Sequence, residues 1–205
     1  MSKLYSYLLH SPSTLTLSLL MPLLYAFNYW ASSALTASYA ASKFPVPYYV
    51  AQLSFSAEKL KAWYSALMDS GTFDVYLQTQ HLDSLFILSV LLLHPLVLVL
   101  ISRLFLVDSK ARKFIVFCAL ASAIAPISDQ LENLVSYIML ANPQSFAGGL
   151  AYIYSSFAAI KFGFFIFAYI VAPLGILFGL VSRLVYCYKN KAHMKSDIYP
   201  SPNSY

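Results

Sequence analysis

The chain has 205 residues, of which 60% are apolar, 17% aromatic and only 10% charged, and its formal net charge is +5. Soluble domains carry about 25% charged residues, so this composition argues against a water-soluble fold and indicates membrane-spanning helices. The positive charge is too small and too scattered along the chain to indicate a nucleic-acid-binding protein.

Four apolar runs predict four transmembrane helices, at residues 14–41, 80–105, 113–141 and 150–182. Each run reaches the about 20 residues that a helix needs to cross the hydrocarbon core of a bilayer. The first run also resembles a signal peptide with a small-x-small cleavage site at Ala40. It is longer than such peptides, and Asn28 and Trp30 interrupt its apolar region, so we expect a retained helix. The predicted fold class is all-α, an integral membrane four-helix bundle.

Lysine and arginine residues predict that both termini are cytoplasmic, because cytoplasmic flanks of spans are enriched in these residues. Nine of the 13 basic residues then lie on one side of the membrane, including those at 103–113 between the second and third spans. The domain organisation is a cytoplasmic N-terminus (1–13), a membrane domain (14–182) and a basic tail (183–205), which we expect to be disordered.

One substantial segment, residues 42–79, is expected on the non-cytoplasmic side. Within it, residues 56–70 predict a short amphipathic helix, with Ser56 as its N-cap and Gly71 after its end. Leu60, Trp63 and Leu67 recur at helical spacing, which is typical of a helix that lies on the membrane surface or covers the bundle.

The stretch "ISDQLENL" (127–134) places two carboxylates inside the third apolar run. Asp129 and Asn133 share one helical stripe, and Glu132 lies at its edge. Asp83 in the second span and Lys161 in the fourth fall in the same half of the membrane. A charge at the bilayer centre costs about 2.5–3.5 kcal/mol on insertion scales, so we expect these side chains to turn inward and meet in a polar pocket open to the non-cytoplasmic side.

Several other residues have weaker signals. His81 and Tyr154 are candidate rim or wall residues of this pocket, and His94, before Pro95, lies deeper on the face of Asp83. The two separated histidines show no tight ligand spacing, so no metal site is predicted. Gly175 and Gly179 form a G-x-x-x-G pattern, which favours close helix packing within the molecule. No motif indicates a cofactor.

Three segments carry a resemblance to a set of small four-span membrane proteins. "YLQTQHLDSLF" (76–86) is similar to their Y-L-x-x-x-x-L-D-x-x-F entry to the second span, "DQLEN" (129–133) to their D-x-x-E-N, and Lys161 to their late lysine. The resemblance covers roughly residues 70–165. It implies that Asp83, Asp129, Glu132, Asn133 and Lys161 belong to one constellation, and it implies no activity. The four-span architecture is also similar to that of sterol-isomerase-like proteins, without shared catalytic residues.

The sequence leaves three functions open. In the first, the charges build the fold or a docking site, and the chain is a structural protein or a subunit of a membrane complex or homo-oligomer. In the second, the pocket binds a lipid or small ligand, or acts on a lipid with Asp129 or Glu132 as acid/base beside Lys161. In the third, the chain is a proton-coupled carrier. The sequence does not distinguish an enzyme from a non-enzymatic protein. The expected partner in every case is the lipid bilayer.

Overall fold

All regular structure in the described part of the chain is helical. The computed structural model describes residues 2–198, and the side chains of residues 3–189. Eight helices follow in order: α1 Ser2–His10, α2 Thr14–Ser42, α3 Tyr48–Gln52, α4 Ala57–Asp69, α5 Phe73–Ser102, α6 Lys110–Ser122, α7 Ile124–Ala141 and α8 Gly149–Ile198. The predicted all-α class is therefore confirmed for residues 2–198, which contain no strand.

Three helical stretches are long and apolar enough to cross a membrane: Phe73–Ser102, Lys110–Ala141 and Gly149–Lys189. They correspond to the second, third and fourth predicted spans. The first predicted span is present as a helix, α2, but it is not among the three. Its second half contains Asn28 and several serine and threonine residues, which lower its hydropathy. Four spans are therefore not confirmed by length and composition.

The long helices are arranged around α5. α2 packs along α5, α8 packs along α7, and α5 also contacts α6, α7 and α8. Two polar contacts join α2 to α5: Asn28 Nδ2 donates to Ser89 Oγ at 2.9 Å, and the Ser38 and Thr79 hydroxyls lie 2.7 Å apart. Such side-chain hydrogen bonds between helices are typical of contacts made in an apolar environment.

The third predicted span is interrupted near its middle. Its two parts, α6 and α7, meet at Ala123, and Pro126 lies in the first turn of α7. Proline has no N–H group, and its ring clashes with the carbonyl one turn earlier, so the hydrogen-bond ladder breaks there. The interruption lies about two turns before the polar face of α7, which begins at Asp129.

The end of the molecule at which residues 43–72 connect α2 to α5 is called the loop end. Here α4 begins after Ser56, whose Oγ accepts a hydrogen bond from the Lys59 backbone N–H at 3.3 Å, and it ends before Gly71, at φ +68°. Leu60, Tyr64 and Leu67 of α4 are fully buried. This helix therefore packs against the end of the bundle.

The opposite end is called the arginine end, because Arg103, Arg112 and Arg183 meet there. Arg103 donates to the carbonyls of Leu8 (3.0 Å) and Leu9, and Arg112 also donates to Leu9. These carbonyls belong to the last turn of α1, where backbone acceptors lack partners within the helix. The short α1, which lies within the stretch expected to be only an N-terminal tail, is fixed by these contacts.

α8 extends beyond the predicted end of the fourth span at residue 182 and continues to Ile198. The tail from residue 183 was expected to be disordered, but no proline or glycine lies between 183 and 198 to stop the helix. Residues 199–205 lie outside the described part. Within α8, Gly175 and Gly179 pack against Ile101 and Leu104, which places the G-x-x-x-G pattern at an intramolecular contact.

Two apolar cores lie one at each end. The core at the loop end includes Tyr64, Tyr76 and Met139, and the core at the arginine end includes Leu98 and Val116. A layer of buried polar side chains separates them along α5, α7 and α8. The candidate site lies in this layer.

Candidate functional site

The centre of the polar layer is an ion-pair triad. Lys161 Nζ lies 2.7 Å from Asp129 Oδ1 and 2.6 Å from Glu132 Oε2, and all three residues are buried. The contact with Asp129 has the better hydrogen-bond geometry, and the contact with Glu132 is as short. One ammonium is thus shared by two carboxylates.

Asp83 is a fourth charged group beside the triad, and the side-chain amide of Asn133 holds it there. Asn133 Nδ2 donates to Asp83 Oδ2 at 2.8 Å, which links α7 to α5. The structure therefore brings together the five side chains that the sequence singles out for the intramembrane cluster. They are Asp83, Asp129, Glu132, Asn133 and Lys161.

Helix geometry explains why these residues meet at one level. Asp83 lies ten residues after the start of α5, Lys161 twelve after the start of α8, and Asp129 twelve before the end of α7. At 1.5 Å per residue these positions are about 15–18 Å from the loop end in all three helices. The buried face of α7 carries Asp129, Glu132, Asn133 and Ser136, because residues three and four apart share a face.

A cavity of about 550 Å³ lies beside this cluster, and Asp83, Asp129 and Lys161 form part of its wall. Glu132 and Asn133 lie behind the wall and hold these groups in place. The volume is within the range of about 300–1,000 Å³ that is typical of ligand pockets. The charged cluster is therefore accessible to a small molecule from one side.

Three long helices supply most of the lining through regular stripes. α2 contributes residues from Ser32 to Ala40, α5 residues from Tyr76 to Phe86, and α8 residues from Tyr154 to Tyr169. The short α3 closes the cavity at the loop end with Tyr48, Ala51 and Gln52. The predicted amphipathic helix corresponds to α4. It covers the bundle at the loop end but does not line the cavity.

The cavity lies in the cleft between α2 and α8. These two helices pack mainly against α5 and α7 rather than against each other. Thr36 and Ala40 of α2 and Ile166 and Tyr169 of α8 line the cavity and are exposed. The cavity therefore opens to the side between these two helices.

Several buried polar atoms near the cluster lack a protein partner. Gln80 is only 8% exposed and lines the cavity, and its Oε1 accepts no hydrogen bond. The buried hydroxyls of Tyr64 and Ser136 lie behind the wall, and burial raises the pKa of Tyr64 above its usual range. Tyr64 therefore stays a neutral hydroxyl beside the cluster, and Gln80 Oε1 is a buried acceptor that does not face the cavity.

The accessory residues separate into two groups. Tyr154 is buried and lines the cavity. His81 is exposed and stacks on Tyr137, and His94 packs edge-on against Phe165 and Tyr169; neither histidine lines the cavity. In the described part of the chain, no group of three or more histidine, cysteine or acidic residues is placed to bind a metal ion.

Sequence reasoning found the charges and missed most of the cavity. Gln80, Tyr39 and the residues of α3 were not predicted as site residues. For α2 a signal exists, since Ser32, Leu35, Thr36 and Tyr39 follow helical spacing. For Gln80 the signal is its position one turn before Asp83 on the same face.

Comparisons with known proteins leave the resemblance as a prediction: no family model, no curated protein and no solved structure matches the chain. The functional argument therefore depends on the site itself.

Proposed function

We propose that the chain is a multi-pass membrane protein with four spans that binds a membrane-resident amphipathic molecule in the cavity between α2 and α8. Three candidate spans support the membrane location. The fourth span would be α2, whose 29 residues extend over about 43 Å. Leu15, Leu19 and Leu23 of α2 are about 70% exposed, which suits contact with lipid.

The observation that carries this proposal is the combination of a charged wall and a side opening. Asp83, Asp129 and Lys161 occupy one part of a cavity of about 550 Å³, and apolar and aromatic side chains occupy most of the rest. A ligand with a polar head and an apolar body matches both parts. Because the opening lies between α2 and α8, both of which cross the membrane in this proposal, such a ligand can enter from the bilayer without crossing water.

The basic residues support an orientation for this site. With both termini cytoplasmic, the arginine end faces the cytoplasm and the loop end faces the other side. The cavity then lies in the non-cytoplasmic half of the membrane, about 15–18 Å below the loop end.

Two matched substitutions on α2 test the binding site. Ala40 and Ala37 are both exposed on the last turns of this helix, but only Ala40 lines the cavity. The probe is an alkyl alcohol that carries a diazirine and an alkyne, incorporated into nanodiscs with the protein. We expect wild type and Ala37→Phe to be photolabelled on the stretch of α8 from Phe162 to Tyr169, and Ala40→Phe to lose most of this labelling.

Equal labelling of the two variants would show that the probe reacts from bulk lipid, and would contradict a binding site in the cavity. Peptide mass spectrometry locates the labelled residues in each case. Empty nanodiscs with added soluble protein give the background.

A structural role is the second candidate, supported by the shared ion pair of Lys161 with Asp129 and Glu132. A buried pair of this kind fixes the positions of α7 and α8 relative to each other, whether or not a ligand is present. In this role the chain would be a scaffold or docking subunit in a membrane complex. It predicts no specific labelling of the cavity in wild type.

An enzymatic role is a variant of the ligand-binding proposal. Asp129 is the carboxylate of the triad that lines the cavity, whereas Glu132 lies behind the wall. Asp129 is therefore the better placed acid/base, and Lys161 would be its anion-stabilising partner. Chemical conversion of a bound lipid by wild type, and its loss in Asp129→Asn, would favour this variant.

A further inference from the structure

We propose that the ligand of this cavity is a protonated amine with an apolar body, and that Asp83 binds its ammonium group. This inference rests on the proposed function, because it assigns the chemical class of the molecule that the cavity binds. Its first basis is the charge balance of the cluster.

The cluster has three carboxylates and one ammonium group. The ion pairs of Lys161 go to Asp129 and Glu132, and among the described side chains no cation lies within 4.0 Å of Asp83. Asp83 receives one hydrogen bond, from Asn133, which is neutral. A carboxylate in an apolar environment is stabilised by an opposite charge. The cavity side of Asp83 thus lacks a cation.

Gln80 lies next to Asp83 in the cavity wall. It is 8% exposed and lines the cavity, and the two residues are three apart on α5 and therefore neighbours on one face. Its Oε1 has no hydrogen-bond partner but is itself fully buried, so this oxygen does not face the cavity. Asp83 is therefore the acceptor without a counter-charge that the wall offers to an ammonium group with several N–H donors.

The rest of the lining suits a cation with an apolar body. Eight of the 20 lining residues are aromatic, among them Tyr39, Tyr76 and Phe162. Aromatic rings attract cations through their negative faces, and this attraction is stronger away from water. The same rings bury the apolar part of the ligand. The lining therefore favours a cationic amphiphile in both of its parts.

Anionic and neutral head groups fit less well. The cation of the wall, Lys161, is already engaged by two carboxylates, so an anion would meet a net negative surface. An alcohol could donate a hydrogen bond to Asp83 but would leave this carboxylate without an opposite charge. The expected order of affinity is amine, then alcohol, then acid.

Three compounds with the same apolar part test this order: 4-phenylbutylamine, 4-phenylbutanol and 4-phenylbutyrate. Binding to the full chain in nanodiscs is measured by isothermal titration calorimetry at pH 7, where the amine is protonated. Empty nanodiscs are the reference. We expect the amine to bind at least about tenfold more tightly than the alcohol, since a charge-assisted hydrogen bond is roughly twice as strong as a neutral one. The acid should bind most weakly.

Asp83→Asn tests the assigned residue, because it removes the charge and keeps an acceptor for Asn133. In this variant we expect the amine and the alcohol to bind with similar affinity. Asp74→Asn is the matched control: it removes an exposed carboxylate from the first turn of the same helix. This control should keep the preference of wild type. If Asp83→Asn does not fold, the three compounds on wild type still decide the head-group class.

The outcomes distinguish this inference from the proposed function. Equal binding of amine and alcohol to wild type, or tightest binding of the acid, would overturn the amine assignment while leaving a ligand-binding cavity. If no compound binds but the alkyl alcohol probe labels the cavity specifically, the amine assignment is overturned and the ligand-binding cavity is not. No binding and no specific photolabelling would overturn both.

Discussion

Lys161 is the residue on which the buried cluster depends, because its ammonium group lies within 2.7 Å of both Asp129 and Glu132. Its side chain is 5% exposed, so the surrounding protein and not bulk water must compensate the two carboxylates. Removing one partner of a buried pair leaves an uncompensated charge, which is more costly than never having had the pair.

A double-mutant cycle measures this dependence. Lys161→Met should lower the free energy of unfolding by about 3–5 kcal/mol, because both carboxylates lose their counter-charge. Adding Asp129→Asn should recover part of this loss, since only Glu132 then remains without a partner. Thermal or denaturant unfolding in nanodiscs gives the coupling energy between the two sites.

Lys59→Met, on the exposed side of α4, is the control and should change stability by less than about 0.5 kcal/mol. If Lys161→Met is as mild as this control, the ion pairs do not stabilise the fold. The charges would then be retained at a cost to stability, which would strengthen the case for a ligand that needs them.

At the scale of helices, the glycines of α8 determine how closely this helix approaches the end of α5. A Cβ atom at Gly179 would lie 2.6 Å from Leu104 Cβ, and one at Gly175 would lie 2.9 Å from Ile101 Cγ2. Both distances are shorter than van der Waals contact, so neither position has room for a methyl group without movement of a neighbour.

Gly179→Ala should therefore destabilise the protein by about 1–3 kcal/mol through overpacking. Gly163→Ala in the same helix is the matched control, because a Cβ atom there would meet nothing within 4 Å. The control should be neutral or stabilising by up to about 1 kcal/mol, as alanine favours helix. Unfolding in nanodiscs compares the two variants, and equal effects would mean that the contact of α8 with α5 is not tight.

The sequence predicts helices well where one local signal dominates. Ser56 and Gly71 mark the ends of α4, because a cap and a left-handed residue act within one turn. α1 was missed: its last carbonyls are held by Arg103 and Arg112, which are about 100 residues away in sequence. The helix α8 is longer than the apolar run predicts, because basic residues after 182 end the apolar run but do not break a helix.

At the scale of the whole molecule, the charged cluster and a polar pocket beside it could be predicted, whereas most of the lining of the cavity could not. Charged side chains are rare in apolar runs, and they are costly when they face lipid. The charged side chains of neighbouring helices are therefore expected to face one another. Composition and helix length are enough to predict that they meet. The cavity depends on the gap between α2 and α8, which are separated by more than a hundred residues. Gln80 and Tyr39 are ordinary residues in the sequence and become notable only beside that gap.

The number of spans determines where the termini lie, and this gives a test of the whole topology. If α2 crosses the membrane, four spans place both termini on one side and α4 on the other. If α2 does not cross, three spans place the N-terminus on the side of α4. Single cysteines at Ser6, Ala62 or the native Cys187, all exposed positions, report these sides in a chain whose other cysteines are replaced by serine.

With four spans and cytoplasmic termini, a membrane-impermeant maleimide should label Ala62→Cys in intact cells. Ser6→Cys and Cys187 should be labelled only after the membrane is permeabilised. Labelling of Ser6→Cys together with Ala62→Cys would instead indicate three spans, and would contradict both the packing of α2 along α5 and the contacts of α1 with Arg103 and Arg112 at the arginine end. Since α2 forms one wall of the cavity, that outcome would also remove the opening to the bilayer between α2 and α8 on which the entry of a membrane-resident ligand depends.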